Sequence, residues 1–154
     1  MMLSKKSIYG LKAIMNLARN PERGQVLISE LASEERIPKK FLEAILLALK
    51  NGGLLSSRIG KGGGYSLLVP PRSLTIGKII RILEGDLAPV PCISATNYSK
   101  CDDCADEDSC GIRLVMADVH QAVSAILDTV TLADMVNRSE VAALAQKKVF
   151  DYSI

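Results

Sequence analysis

A mainly α-helical chain with one small β-hairpin is what this sequence predicts, and three observations predict it. Two apolar-periodic segments, SELASEER and PKKFLEAILLALKNGG, follow each other too closely to lie antiparallel. They must cross steeply, as in a helix-turn-helix. Directly after them, Gly60-Lys61-Gly62-Gly63-Gly64 separates two strand-like runs at residues 54–59 and 65–69, which is the pattern of a hairpin wing. Further on, Ile112, Val115, Val119, Val123, Ile126 and Val130 recur at close to heptad spacing, which marks a long helix with an apolar seam. The expected architecture is a winged helix-turn-helix domain plus a long dimerisation helix.

The elements follow in order. Ile8, Leu11, Met15 and Ala18 stand at helical spacing, so residues 4–19 form a first helix. A second helix over 29–36 opens at Ser29, a favourable N-cap. In the third, over 38–50, Pro38 suits the first turn and Asn51-Gly52 supplies a left-handed stop. Its Leu42, Ile45, Leu46 and Leu49 face the core. Pro70-Pro71 ends the hairpin, and Thr75 caps a fourth helix with Ile76, Ile79, Ile80 and Leu83 on one face and Gly85 at its end. The long helix over 111–130 has nothing left in its own chain to cover its seam, so a second copy is the expected partner. Thr131 with Asp134 reads as the cap of one more turn, and the last fifteen residues as short-helical or frayed. The expected division is a DNA-binding domain at 1–85, a cysteine-rich sensor loop at 86–109, a dimerisation helix at 110–136 and a tail at 137–154.

Charge separates the halves. Residues 1–85 hold fourteen Lys and Arg against six Asp and Glu, a net of +8, whereas residues 86–154 hold five against eleven, a net of −6. A polyanion-binding domain is joined to a part that avoids the polyanion. No apolar run approaches the roughly 18 residues that span a bilayer, and the N-terminus lacks the apolar core of a signal peptide. The expectation is a cytoplasmic protein without a membrane partner.

The basic half points to double-stranded DNA. The start of the third helix would enter the major groove and offer Lys39, Lys40, Glu43 and Ala44 on the side away from the core. Lysines there contact phosphate or guanine, and Glu43 accepts from the exocyclic amine of cytosine. At the wing, Arg58 and Lys61 reach phosphates or the minor groove, while Gly62 and Gly63 let the backbone approach closely. The bland alternative is a pair of solvated lysines, with Glu43 ion-paired to Lys39 or Lys50. The glycine tract lacks the Lys-Ser/Thr pair and the following helix of a nucleotide phosphate loop.

All four cysteines fall within CISATNYSKCDDCADEDSC, residues 92–110, beside five acidic residues. Four thiols in one loop can converge on zinc or an iron–sulfur cluster. Cys101 and Cys104 form a C-x-x-C step, Cys110 opens the long helix, and Cys92 follows Pro91. Only one such step is present, so the two-knuckle zinc ribbon is not matched. The single histidine, His120, reads as a surface or interface side chain. Four unrelated reduced thiols, or a disulfide switch at Cys101 and Cys104, are the alternatives. No nucleophile–base pair is visible, so the chain is not read as an enzyme. A metal or redox module docking on an enzyme partner is the reading of another class.

The segments LSKKSIYGLKAIMNLA, IPKKFLEAILLALKNGGLLSSRIGKGGGYSLLVPP, LTIGKIIRILEG and CGIRLVM are similar to the Rrf-two (IscR/NsrR/CymR) family of bacterial winged-helix transcription regulators. That resemblance covers nearly the whole chain and implies a homodimer on a near-palindromic operator. Members with a cysteine triad hold an iron–sulfur cluster ahead of the dimer helix; others respond to different signals or to a protein partner. Cys92 matches the first ligand, and Cys104 with Cys110 keeps the family's gap. Arg113 stands where the Isc-type regulator has a histidine ligand, and Ile8 where some members use a carboxylate. Cys101 is then the expected fourth ligand of a 2Fe-2S or 4Fe-4S cluster. The implied function is a regulator, a repressor, that senses iron–sulfur status, oxidation or nitric oxide, with a zinc or thiol switch as the alternative.

Overall fold

The computed structural model describes residues 2–153. Helix α1, Lys5–Arg19, starts at Ser4, whose hydroxyl accepts from the Ser7 N–H at 3.2 Å. It buries Gly10, Leu11, Ile14 and Leu17, whereas Ile8 of the expected face is exposed and Met15 and Ala18 only partly covered. The helix is apolar on two adjacent faces, so periodicity alone allowed either. Gly10 decides between them, because a side chain there would run into Leu83.

Helix α2, Ile28–Glu35, begins ahead of Ser29, with Leu27 at the N-cap and no side-chain cap. Arg36 then takes a left-handed conformation (φ 55°), the one non-glycine residue to do so among those described. Its turn, closed by the Ile37 N–H on the Ala32 carbonyl at 2.9 Å, throws the chain into α3, Lys39–Asn51. Pro38 is the N-cap of α3 rather than part of its first turn. The left-handed stop is Gly53 (φ 78°), not Asn51-Gly52. Gly52 has an ordinary φ of −75° and is needed for space, since a Cβ there would lie 2.6 Å from Ile82 Cδ1.

The hairpin strands β1, Leu55–Arg58, and β2, Gly64–Leu67, are shorter than the sequence suggested and pair antiparallel with Leu55 opposite Leu67 and Arg58 opposite Gly64. Val26 adds an isolated antiparallel bridge to Tyr65 through bonds of 2.9 and 2.8 Å, which pins the linker before α2 to the hairpin. Helix α4, Ile76–Glu84, carries the expected Thr75 cap and ends at Gly85 (φ 86°). Leu42, Ile45, Leu46 and Leu49 of α3 are fully buried with Ile14, Leu31, Leu54, Leu74 and Ile79. Each such side chain contributes roughly 1.5–3 kcal/mol by leaving water, which is what holds α3 at a fixed angle.

Helix α5, Gly111–Thr129, buries none of its residues fully and leaves Ile112, Val115, Val119 and Ile126 exposed. The Thr131–Asp134 pair is a full capping box, and it opens a 21-residue helix, α6, Leu132–Tyr152, rather than one more turn. The tail expected to be frayed is therefore helical to Tyr152, and α6 exceeds α5 in length. Its Ala, Leu, Gln and Lys are good helix formers. The first half packs on α1, with Leu132 and Val136 buried, while every described residue from Glu140 onward is exposed. The α5–α6 corner is joined to the start of α4 by the Ile76 N–H on the Val130 carbonyl (2.9 Å) and the Leu132 N–H on the Leu74 carbonyl (2.7 Å). Arg81 and Asp128 add a two-pronged ion pair across α4 and α5.

Candidate nucleic-acid interface and cysteine loop

Helix α3 owes its two faces to leucine spacing, since burial of 42, 45, 46 and 49 leaves Lys39, Lys40, Glu43 and Ala44 exposed together. Among the described residues Glu43 pairs with neither Lys39 nor Lys50, and no ion pair occupies Arg58 or Lys61. The charged groups of this face are all free for a ligand. Sequence reasoning passed over Leu47, exposed on the same face, and Ile59, wholly exposed at the wing tip. The spacing from Lys40 and Glu43 would have found Leu47; nothing in the sequence marked Ile59.

The wing tip spans residues 59–63. Lys61 and Gly62 are exposed, but Gly63 is buried. Its N–H donates to the Gly60 carbonyl at 3.0 Å, and a Cβ on it would meet the carbonyls of Arg58 and Gly60. Gly63 is thus enclosed and closes the turn, and the exposed backbone of the tip is that of Lys61 and Gly62. Gly64 (φ 138°) lies just as tightly against the Val26 carbonyl.

Between α4 and α5 the chain is organised around Asp86, a residue that no sequence signal marked. Its carboxylate accepts from the Ser94 hydroxyl at 2.6 Å, the Ala95 N–H at 2.8 Å and the Ala88 N–H at 3.2 Å. The Ser94 bond leads in holding its pKa below the ordinary aspartate value. His120, expected at the surface or an interface, is half-buried, with Nε2 4.0 Å from Asp86 Oδ1. Farther along, the Tyr98 hydroxyl donates to Glu107 at 2.6 Å, and that bond pushes the phenol's pKa up.

The four thiols are free. Cys92 is buried in a 3-10 turn, Pro91–Ile93, and Cys110 stands at the N-cap of α5 without capping it. A turn brings the Cys104 N–H to the Cys101 carbonyl at 3.1 Å. Desolvation, followed by the charges of Cys92, Cys104 and Cys110, raises the Cys101 pKa. Among the described residues, no three His, Cys, Asp or Glu side chains stand together as a ready-made metal site. The donor set suits a thiolate-ligated metal or cluster in number and kind. Arg113 faces Asp108 at 4.0 Å and offers no ligand. Among the described residues no helix is long and apolar enough to cross a membrane.

A family model described as "Iron-dependent Transcriptional regulator" matches residues 3–138. An rrf2-like HTH-type transcriptional regulator of Rhodobacter capsulatus is 41% identical, covering 92% of this chain and 97% of that protein. The structure of CymR, the global cysteine regulator of B. subtilis, superposes with a TM-score of 0.74 at 30% identity, covering 90% of this chain and 98% of that one. IscR of T. potens does so at 0.71 and 31%, covering 92% and 90%. These relatives are transcriptional regulators rather than enzymes, and the mainly helical winged fold is theirs as well. With the model covering most of its length, the chain belongs to the Rrf2 family of transcriptional regulators.

Proposed function

We propose that the protein is a cytoplasmic homodimeric repressor that reads a near-palindromic operator through α3 and the wing and senses redox or iron–sulfur status through residues 92–110. The observation that carries this reading is one of position. Four free thiols occupy the segment joining the reading domain, which ends at α4, to α5 with its exposed apolar stripe. Cys92, Cys101, Cys104 and Cys110 would hold an iron–sulfur cluster, which supplies one-electron chemistry when bound. The five acidic residues of the loop disfavour an added electron, so a potential below that of a Rieske centre is expected. The chain's own part would be mechanical: ligation would tie the Cys92 turn, two residues ahead of the Asp86-bonded Ser94, to Cys110 at the head of α5. Changing the setting of α5 changes how two wings fit one duplex, which is a coupling free energy between two sites.

A thiol–disulfide switch has its own support in the Cys101–Cys104 turn, since it would use only those two thiols. One experiment separates the readings. Protein purified without oxygen is assayed for visible absorption, iron, sulfide and zinc, and loaded and stripped samples are footprinted on promoter DNA. Near-equal iron and sulfide with altered footprints supports the cluster sensor. Colourless, metal-free protein whose footprint changes only on thiol oxidation supports the switch, and identical footprints throughout refute both.

A further inference from the structure

The outer face of α3 carries apolar surface that the fold does not use. Leu47 is 51% exposed, although Leu42, Leu46 and Leu49 of the same helix are completely buried. Ala44, one turn earlier, is also exposed. With Lys40 and Glu43 these residues occupy positions i, i+3, i+4 and i+7, which fall on one helical face. A homeodomain recognition helix presents its base-reading side chains to the major groove at that same spacing. The net charge of +8 on residues 1–85 favours a nucleic-acid occupant for this face over an apolar protein surface.

Only one apolar group lines the floor of the major groove, the C5-methyl of thymine. We infer that Ala44 and Leu47 form a reading patch for a thymine methyl, beside the cytosine whose exocyclic amine donates to Glu43. The inference rests on the DNA-reading function and adds a base preference to it. Guanine in place of that cytosine would set acceptors against the Glu43 carboxylate. A base pair without the methyl would leave Leu47 against polar edges.

The test uses the full-length protein and duplexes enriched by it from a random library. Each deoxythymidine of the best duplex is replaced in turn by deoxyuridine, which removes the methyl and keeps every hydrogen bond. At the contacted thymine the affinity of the wild-type protein falls about four-fold per half-site, the worth of one buried methyl. Leu47→Ala shows a smaller loss at that position, the remainder being the contact of Ala44, while Lys40→Ala retains the full loss and weakens binding to both duplexes equally. The exposed site makes Leu47→Ala safe for folding, and a thermal melt confirms this. Uridine replacements without effect at every position overturn the inference, as does a Leu47→Ala protein that still responds like wild type. A Leu47→Ala variant changed only in oligomeric state assigns the face to protein contact and also overturns it. Failure of the library to enrich at all refutes the DNA-reading function instead.

Discussion

Replacing Val119 by aspartate sets a carboxylate midway along the apolar stripe that α5 leaves uncovered. Val119 is 44% exposed in the single chain, and Ile112, Val115 and Ile126 on either side are 69%, 56% and 62% exposed. Roughly half of the valine surface is therefore available to a partner, and its loss removes about 1 kcal/mol per copy. In the proposed dimer two carboxylates must then be desolvated between the chains, which costs at least about 2 kcal/mol more for the pair. The total of about 4 kcal/mol raises the dimer Kd roughly a thousand-fold. Sedimentation equilibrium measures this directly, with far-UV circular dichroism to show that each chain stays helical. Ile126→Asp should behave in the same way. Gln121→Asp, exposed on the flank of α5, should remain dimeric. A Val119→Asp protein that keeps the wild-type Kd would refute the assignment of this stripe to self-association.

Three other perturbations follow from the geometry. Asp86→Ala frees Ser94, Ala95 and Ala88 together, so alkylation of buried Cys92 in metal-free protein should speed up several-fold; an unchanged rate would show that Asp86 does not anchor the loop. Gly63→Ala forces a methyl into the carbonyls of Arg58 and Gly60, and overpacking of about 1–3 kcal/mol confined to the wing should abolish DNA binding with little change in melting temperature; retained binding would count against the wing's role. Acid should destabilise the fold in a defined window. The pKa values of Asp128, Asp86 and Glu34 are depressed, chiefly by bonds from Arg81, Ser94 and Arg23 respectively. A folded value below the unfolded one stabilises fully above the ordinary carboxylate pKa near 4 and loses that contribution as pH falls through the depressed values. Urea midpoints should hold from pH 7 to about 5 and drop below about 4; a midpoint already falling at pH 6 would exclude these carboxylates as the cause.

Where the sequence was legible, a local cause with one solution lay behind it. The four leucine-type anchors of α3, the Thr75 cap and the Gly85 stop are decided within a turn or two, and the structure has them all. The face of α1 was not legible, because two apolar stripes compete and the choice depends on Gly10 meeting Leu83, a contact across more than seventy residues. Gly53 took the left-handed position because packing against Ile82 fixes Gly52 in an ordinary conformation. The length of α6 exceeds the expectation because its second half, exposed throughout among the described residues, has no buried face to impose a clear period. At the candidate site, residue types were readable but separations were not. Spacing along the chain placed four thiols in one loop, yet it could not say that the loop turns about Asp86, or that Gly63 is enclosed.

The joint between residues 74–76 and 130–132 is made of main-chain hydrogen bonds closed over the buried side chains of Leu74, Ile76 and Leu132. Substitutions in the cysteine loop or on the outer face of α3 leave those bonds untouched. Proline at position 76 or 132, which deletes a donor, breaks them. The backbone of this joint and the side chains of the two surfaces on either side of it can therefore be altered separately.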